Sequence, residues 1–482
     1  MTSKINLQGK QNLNKVKTGI YGLDDILGGG LPKGRISLVR GGSGCGKSLF
    51  SMEFIFRGVE MGEPGIFISF EENKKMILEN YLSLGWDLEA LEKDNKLFIL
   101  EAKLKPFFTS GGDFSILGII GIVNDIIMKL GAKRIVLDAV DFFLKIFKTQ
   151  EKKEEELLLL YDWLSNTNLT SILTLKEWEN TSMRQVNEIL DYISNCIISL
   201  SKKIENKVSY RRLGVNKFRG SGFSENEHSF SITDDGIKFM PLFKSELYDR
   251  PLGEKLETGI PDLDEMLLGG FRRYSSILVA GPAGSGKTSI ASFFVKKMCE
   301  QNEKILYISY EESQAAILDN MKSVGIDLDL YVKNNKLIYL TETPESMGVE
   351  KHLINIVSLV DKQKPNHVIV DSITACKRMG GVVEAFDFTV RLISALKMRG
   401  ITTFLINQTM YQAQMEDLTG IELSSLIDTV LYLFMVFENG TMNRMILPIK
   451  ARGSSHANHF RKFVITDNGI KLTEVYQGIV NI

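Results

Sequence analysis

The chain has 482 residues, room for two or three ordinary domains rather than one. Hydrophobic residues make up 44% and charged residues 24%, globular proportions that exclude disordered and fibrous classes. A formal charge of −1 advertises no strongly basic nucleic-acid surface, although a local basic groove is compatible with it.

From the N-terminus, Met1 to Lys17 is polar and lysine-containing and lacks the apolar centre of a secretory signal. No apolar run approaches the ~18 residues that span a bilayer. Cys45, Cys196, Cys299 and Cys376 stand far apart, without metal-ligand spacing, and read as reduced thiols of a cytoplasmic protein.

The first element is Thr18-Gly19-Ile20, followed by Leu23-Asp24 and Gly29-Gly30, and it recurs 240 residues later as Thr258-Gly259-Ile260, Leu263-Asp264 and Gly269-Gly270. The same shift carries Lys47 onto Lys287, Glu71-Glu72 onto Glu311-Glu312 and Gly85 onto Gly325. Beyond that point the shift is 233: Asp138 matches Asp371, Lys217-x-Arg219-Gly220-Ser221 matches Lys450-x-Arg452-Gly453-Ser454, and Ile232-Thr233-Asp234 matches Ile465-Thr466-Asp467. A repeat this long is a duplicated domain rather than a solenoid unit. The junction is expected near Lys244–Pro251, giving domains 1–247 and 248–482.

Within the first copy, Arg35–Val39, Gly65–Phe70, Lys96–Leu100, Arg134–Leu137 and Thr170–Leu175 are predicted buried strands. Leu49–Met61 and Glu154–Ser165 have the length and spacing of helices between them. This alternation predicts an α/β fold, a mainly parallel sheet flanked by helices, in each copy. The last third of each copy reads as consecutive strands, for example Asp428–Phe437, Arg444–Lys450 and Phe460–Ile465, which suggests a hairpin extension.

Gly41-Gly42-Ser43-Gly44-Cys45-Gly46-Lys47-Ser48 and Gly281-Pro282-Ala283-Gly284-Ser285-Gly286-Lys287-Thr288 each fit the P-loop pattern between a strand and a helix. Such glycines let backbone N–H groups curl around phosphates at the positive helix terminus. Lys47 and Lys287 would meet the terminal phosphates, and the Ser48 and Thr288 hydroxyls would ligate Mg²⁺. Two matches in aligned repeats leave little room for chance. Asp138 and Asp371 end buried strands, where a carboxylate serves the Mg²⁺ site; taken alone, each also fits a helix N-cap. Glu71-Glu72 and Glu311-Glu312 follow corresponding strands, and the first of each pair is expected to act as base beside the γ-phosphate, the second assisting. An isolated acidic pair would be a solvated loop; recurrence reverses that weighting. Lys217, Arg219, Lys450 and Arg452 lie far in sequence from their own P-loops, and either reach a phosphate across a subunit boundary or form an exposed basic strand.

Together these residues resemble the KaiC family, double-domain RecA-like P-loop ATPases and autokinases of the cyanobacterial clock and their relatives. The resemblance runs from Thr18 to about Leu472 and is most specific in Gly28-Gly29-Gly30-Leu31-Pro32, the segments Phe70-Glu71-Glu72 and Tyr310-Glu311-Glu312, Gly85-Trp86-Asp87-Leu88, Pro344-Glu345-Ser346 and both K-x-R-G-S strings. It implies a two-tiered homohexamer with ATP between subunits, a hydrolytic first domain and an autokinase second domain. ATP contacts are implied at Ser43, Gly44, Cys45, Gly46, Lys47, Ser48, Leu49, Ser83, Lys217, Phe218, Arg219, Ser221 and Asp234 in the first copy. In the second they are implied at Ala283, Gly284, Ser285, Gly286, Lys287, Thr288, Ser289, Lys450, Arg452, Ser454 and Asp467. Mg²⁺ is implied at Ser48 and Asp138 and at Thr288, Glu311 and Asp371.

The family's phosphoacceptor string matches Glu422 to Thr429, which places the acceptors at Ser424 and Ser425 with Thr419 nearby. Three departures follow. The acceptor pair is Ser-Ser where the clock proteins carry Ser-Thr; Ala139 follows Asp138 where a hydroxyl residue often stands, while Ser372 follows Asp371; and the sequence ends at Ile482, so KaiA-type activation through a longer tail is not expected. A KaiB-like partner is expected on the first domain, near Phe107–Phe114. The competing readings are a DNA-dependent RecA-type recombinase and a nucleotide-gated signalling scaffold; membrane and nucleic-acid partners are not expected.

Overall fold

The computed structural model describes residues 13–102, 109–110, 113–176, 184–205, 208–240, 251–410, 426–438, 440–467 and 469–476. The expected linker near Lys244–Pro251 lies mostly outside them, as does the acceptor pair Ser424/Ser425. The chain divides into two compact units whose main division falls between Pro241 and Leu242.

In the first unit, Ile36–Gly41 (β1), Gly65–Ser69 (β2), Leu97–Glu101 (β3), Arg134–Asp138 (β4), Thr170–Lys176 (β5), Cys196–Glu205 (β6), Val208–Phe218 (β7), His228–Thr233 (β8) and Gly236–Phe239 (β9) form a nine-stranded sheet. Its order is β9-β8-β7-β6-β1-β5-β4-β2-β3. The strands around β1 pair in parallel, whereas β7, β8 and β9 pair antiparallel. Each of the five strands predicted in the first copy therefore exists within a residue or two of its expected ends. Parallel strands buried on both faces need apolar side chains throughout, which is why Ile66, Phe67 and Ile68, like Ile135, Val136 and Leu137, lie in succession without exposure. One face of the sheet packs on the helix Lys47–Glu60 (α1) through Phe50, Phe54 and Ile55; the other packs under Ile116–Leu130 (α2) and Gln150–Asn166 (α3). Glu156 of α3 caps α2, accepting from the Ile116 N–H (2.7 Å) and the Ser115 hydroxyl (3.1 Å).

The second unit repeats this plan. Ser276–Gly281 (β10), Ile305–Ser309 (β11), Leu337–Thr341 (β12), His367–Asp371 (β13), Thr402–Gln408 (β14), Thr429–Glu438 (β15), Thr441–Ala451 (β16), Arg461–Thr466 (β17) and Gly469–Val475 (β18) take the order β18-β17-β16-β15-β10-β14-β13-β11-β12. Raising each first-unit label by nine gives the same sheet. The expected extension is present: β15 pairs in parallel with β10, then β16, β17 and β18 follow antiparallel. The helix Lys287–Glu300 (α4) follows β10 as α1 follows β1.

Candidate nucleotide sites

Each P-loop turns directly from a central strand into a helix, β1 to α1 and β10 to α4. Gly46 and Gly286 hold the first helical corner at φ 106° and 97°, in the left-handed region that side chains disfavour. A Cβ at Gly46 would come within 3.3 Å of Ile232, and one at Gly286 within 2.9 Å of Ile465. Ser43, Gly44 and Cys45 form the turn, as do Ala283, Gly284 and Ser285, while Leu49 and Ser289 belong to the helices. Lys47 Nζ donates to the carbonyls of Gly41 (2.9 Å) and Gly42 (2.8 Å); Lys287 Nζ donates to that of Pro282 (2.8 Å). Burial lowers the affinity of Lys287 for its proton, against the pull of Asp371 and Glu311.

The strand-end aspartates face these helices. Thr288 Oγ1 donates to Asp371 Oδ2 at 3.0 Å, and the Tyr307 hydroxyl donates to the same oxygen at 2.8 Å. Burial pushes Asp371 up to about 6, with Tyr307, Thr288 and Lys287 opposing the rise and Glu311 adding to it. It therefore remains largely ionised at neutral pH. Asp138 is also raised by burial, and it accepts from Thr174 and Ser48. One hydroxyl and one carboxylate in each site are hard oxygen donors that would suit Mg²⁺. Among the described residues no three His, Cys, Asp or Glu side chains gather as an all-protein metal cage.

The paired glutamates follow β2 and β11. Ser69 Oγ clamps the first turn by donating to the Glu72 carbonyl (2.9 Å) and accepting from its N–H (3.0 Å); Ser309 does the same for Glu312, at 2.7 and 3.1 Å. Burial, with Asp138 and Glu71 adding to it, raises the pKa of the Glu72 carboxyl, making it a weaker acid than usual. Glu311 accepts at 2.8 Å from Ser372, while Glu312 accepts at 3.1 Å from Asn320. Glu311 is thus turned toward the strand-end acid and Glu312 away along its helix.

The basic strings lie elsewhere. The Arg219 N–H bonds to Asn195 O, and the Asn195 N–H to Ile36 O, which places Arg219 beside the start of β1, whereas the P-loop leaves its end. In the second unit Arg452 N–H bonds to Asp428 O and Asp428 N–H to Ser276 O, the start of β10. Five residue steps separate the two ends of either strand, roughly 17 Å at the rise of a parallel strand, beyond the reach of a lysine or arginine side chain. Lys217 donates to Asp191 O, and the Arg219 guanidinium stands 5.6 Å from the Tyr192 ring; Lys450 donates to Ile427 O (2.6 Å), with Arg452 3.6 Å from Asp428. Ser221 and Ser454 close the turns beyond. Phe218 packs inward beneath Lys15, its ring 4.6 Å from that ammonium. Asp234 and Asp467, by contrast, occupy the β8–β9 and β17–β18 turns, whose preceding strands press Ile232 and Ile465 on the P-loop glycines. Ser83 caps the end of the helix Lys74–Leu82.

The sequence model described as "ATPase: KaiC" matches residues 16–244 and again 256–476. The chain belongs to the KaiC family. The circadian clock protein KaiC2 of Synechocystis sp. is 37% identical over 97% of this chain and 83% of its own length. The circadian clock oscillator protein KaiC of Synechococcus elongatus is 34% identical over the whole of this chain and 93% of its own.

In this KaiC-family ATPase the duplicated sites are not identical. Ser372 holds Glu311, and Ala139 has no hydroxyl to offer Glu71. Tyr307 supports Asp371, whereas Phe67 stands at its repeat position and Thr174 supports Asp138 from another strand. Tyr307 and Thr174 went unnoticed in the sequence because neither recurs. Ser69 and Ser309 do recur at the 240-residue shift, so the repeat alone could have flagged them. All four cysteines are free and buried, as expected of structural thiols. Among the described residues no helix is long and apolar enough to cross a membrane. Of the segment Phe107–Phe114, Thr109–Ser110 pairs antiparallel with Asp113–Phe114; residues 103–108 and 111–112 lie outside the description.

Proposed function

We propose that the chain is a KaiC-like serine/threonine autokinase as well as an ATPase, working as a homohexamer with Mg·ATP between subunits. Domain 1–247 hydrolyses ATP; domain 248–482 transfers the γ-phosphoryl group to Ser424 or Ser425 of the adjacent subunit, and the phosphorylation state sets affinity for partners such as a KaiB-like protein on the first domain. The support that counts most is the position of Lys217/Arg219 and Lys450/Arg452 at the sheet end opposite their own P-loops. Cations there complete a nucleotide site only for a neighbour. Head-to-tail repetition of such a contact gives a ring where its rotation closes.

In the second site Glu311, steadied by Ser372, accepts the serine proton as the Oγ–phosphorus bond forms and the bond to the β,γ-bridging oxygen breaks. Lys287 and the P-loop N–H groups hold the departing diphosphate, and the neighbour's Lys450 and Arg452 face charge developing on the transferred group. Thr288 and Asp371 would hold Mg²⁺, which neutralises phosphate charge when bound. In the first site Glu71 orients and deprotonates water instead.

The test is incubation with γ-labelled ATP and Mg²⁺, with and without single-stranded DNA, followed by mass-spectrometric mapping. Label is expected at Ser424 or Ser425, abolished by Lys287→Ala, strongly reduced by Glu311→Gln and retained in Glu71→Gln. DNA-stimulated turnover without label would establish a recombinase-type motor instead; nucleotide-dependent partner binding without label would establish a scaffold.

A further inference from the structure

The two units seat their basic strings differently. In the first, the helix Arg184–Ile193 ends just before β6 on Asp191 and Tyr192, and this pair carries both cations. Lys217 Nζ donates to the Asp191 carbonyl, and the Arg219 guanidinium stands 5.6 Å from the Tyr192 ring. Carbonyls of a last helical turn lack partners within the helix, and a lysine satisfies one while keeping donors to spare. That helix end is in turn tied to the P-loop strand. Arg40, the residue of β1 directly before the P-loop, points Nη1 at the Asp191 carboxylate, 3.2 Å from Oδ1 and 3.4 Å from Oδ2. Its Nε donates to Ser199 Oγ at 3.1 Å, and that hydroxyl donates at 2.6 Å to Asn216, the neighbour of Lys217 in β7. A planar guanidinium with donors in fixed directions holds two such partners in one geometry. Arg40 thus reaches the basic string by two routes. The second unit has neither: at the repeat positions Ala280, Ser424, Tyr432 and Ile449 replace Arg40, Asp191, Ser199 and Asn216, and Lys450 rests on Ile427 O.

We propose that Arg40 is a positioning residue of the first unit: by tying the Asp191–Tyr192 helix end and Asn216 to the P-loop strand, it sets Lys217 and Arg219 for the nucleotide of the neighbouring subunit. The inference deepens the function proposed above and rests on its trans site. Lysine and arginine side chains have many rotamers, and fixing them on a phosphate costs conformational freedom. A seat held in the reactive geometry beforehand removes part of that ordering cost from the transition state. The defect of an Arg40 variant therefore falls on hydrolysis at the neighbour's P-loop, while ATP affinity at its own P-loop is retained.

The measurement is first-site ATP hydrolysis by the full chain in a Lys287→Ala background, chosen to silence the second site. Arg40→Ala and the isosteric Asp191→Asn should each lower kcat, by about fivefold for Arg40→Ala, with KM for ATP nearly unchanged. The double variant should fall no further than Arg40→Ala, because both changes break one network. Unchanged kinetics in both single variants, or a raised KM at constant kcat, overturns the proposal. Subunit exchange then separates the neighbour's site from the chain's own. The partner is Lys47→Ala, whose P-loop is inactive and whose seat is intact. In an equal mixture Arg40→Ala should reach about three tenths of the parent rate, against about one tenth if its defect lies in its own site. The lower value, with exchange demonstrated by mass, overturns the proposal when the same partner rescues Lys217→Ala/Arg219→Ala. If that control is not rescued either, the trans site itself fails and this inference falls with it.

Discussion

The separation of P-loop and basic string within each unit makes a quantitative prediction about mixed assemblies. Take one variant with a dead phosphate lysine, Lys287→Ala, and another without the distal cations, Lys450→Ala/Arg452→Ala. The ~17 Å between these features along β10 means that neither chain can complete a second-unit site alone. After subunit exchange at equal amounts, an interface is competent only when an intact P-loop faces intact cations. Random placement makes the probability about one half for each partner, so about one quarter of wild-type labelling should return. Each variant alone should remain near zero. The assay is incorporation of γ-label into the acceptor segment after exchange, with variant chains distinguished by mass. If the mixture labels no better than the sum of its parts while exchange is demonstrated, the cations act within their own chain and the trans arrangement fails.

Other substitutions follow from the same geometry. Tyr307→Phe removes a donor to the Asp371 carboxylate worth about 1.5 kcal/mol, or roughly one pH unit. Asp371 already sits at about 6, so the acid limb of Mg·ATP binding at the second site should move toward pH 7; a first-site profile that moves equally would refute the assignment. Ser372→Ala should slow labelling about tenfold through loss of the Glu311 contact, with little change in ATP affinity; unchanged labelling kinetics would dismiss that role. Glu53 ionises near 7 when folded against about 4.5 otherwise. Its contribution to stability is therefore full below about pH 4.5 and lost as pH rises toward 7, by about 3 kcal/mol in all. Denaturation of the first unit should show this slope relative to Glu53→Gln, and parallel curves from pH 5 to 8 would count against it.

Most of the parallel core was legible because burial on both faces leaves a plain record: Ile66 to Ile68 and Ile135 to Leu137 are apolar without interruption. The P-loops were legible because their chemistry is contiguous, and the repeat turned weak pairs such as Glu71-Glu72 into positions. What sequence could not supply was distance across the sheet. Arg219 read either as a cation for a phosphate across a subunit boundary or as part of an exposed basic strand, and only strand direction shows that it stands at the opposite end of β1 from Lys47. Tyr307 and Glu53 are polar residues on otherwise apolar faces, and only their partners, Asp371 and the Ile237 N–H, reveal a purpose.

Strand β16 joins features described separately. Arg444, near its start, donates to the P-loop carbonyl of Gly284 at 3.0 Å, while Lys450 and Arg452 stand at and just past its end. The strand pairs with β15 along its length and with β17 over Arg444–Ile446, and its register with β15 shifts between Pro448 and Lys450, just before the basic string. If the chains assemble as the ring proposed above, a P-loop that shifts when its phosphates arrive or leave would be joined through this strand to the cations offered to the next subunit. Each firing site would then bias its neighbour in one rotational direction, and the assembly would read its own occupancy as a sequence around the circle rather than as an average.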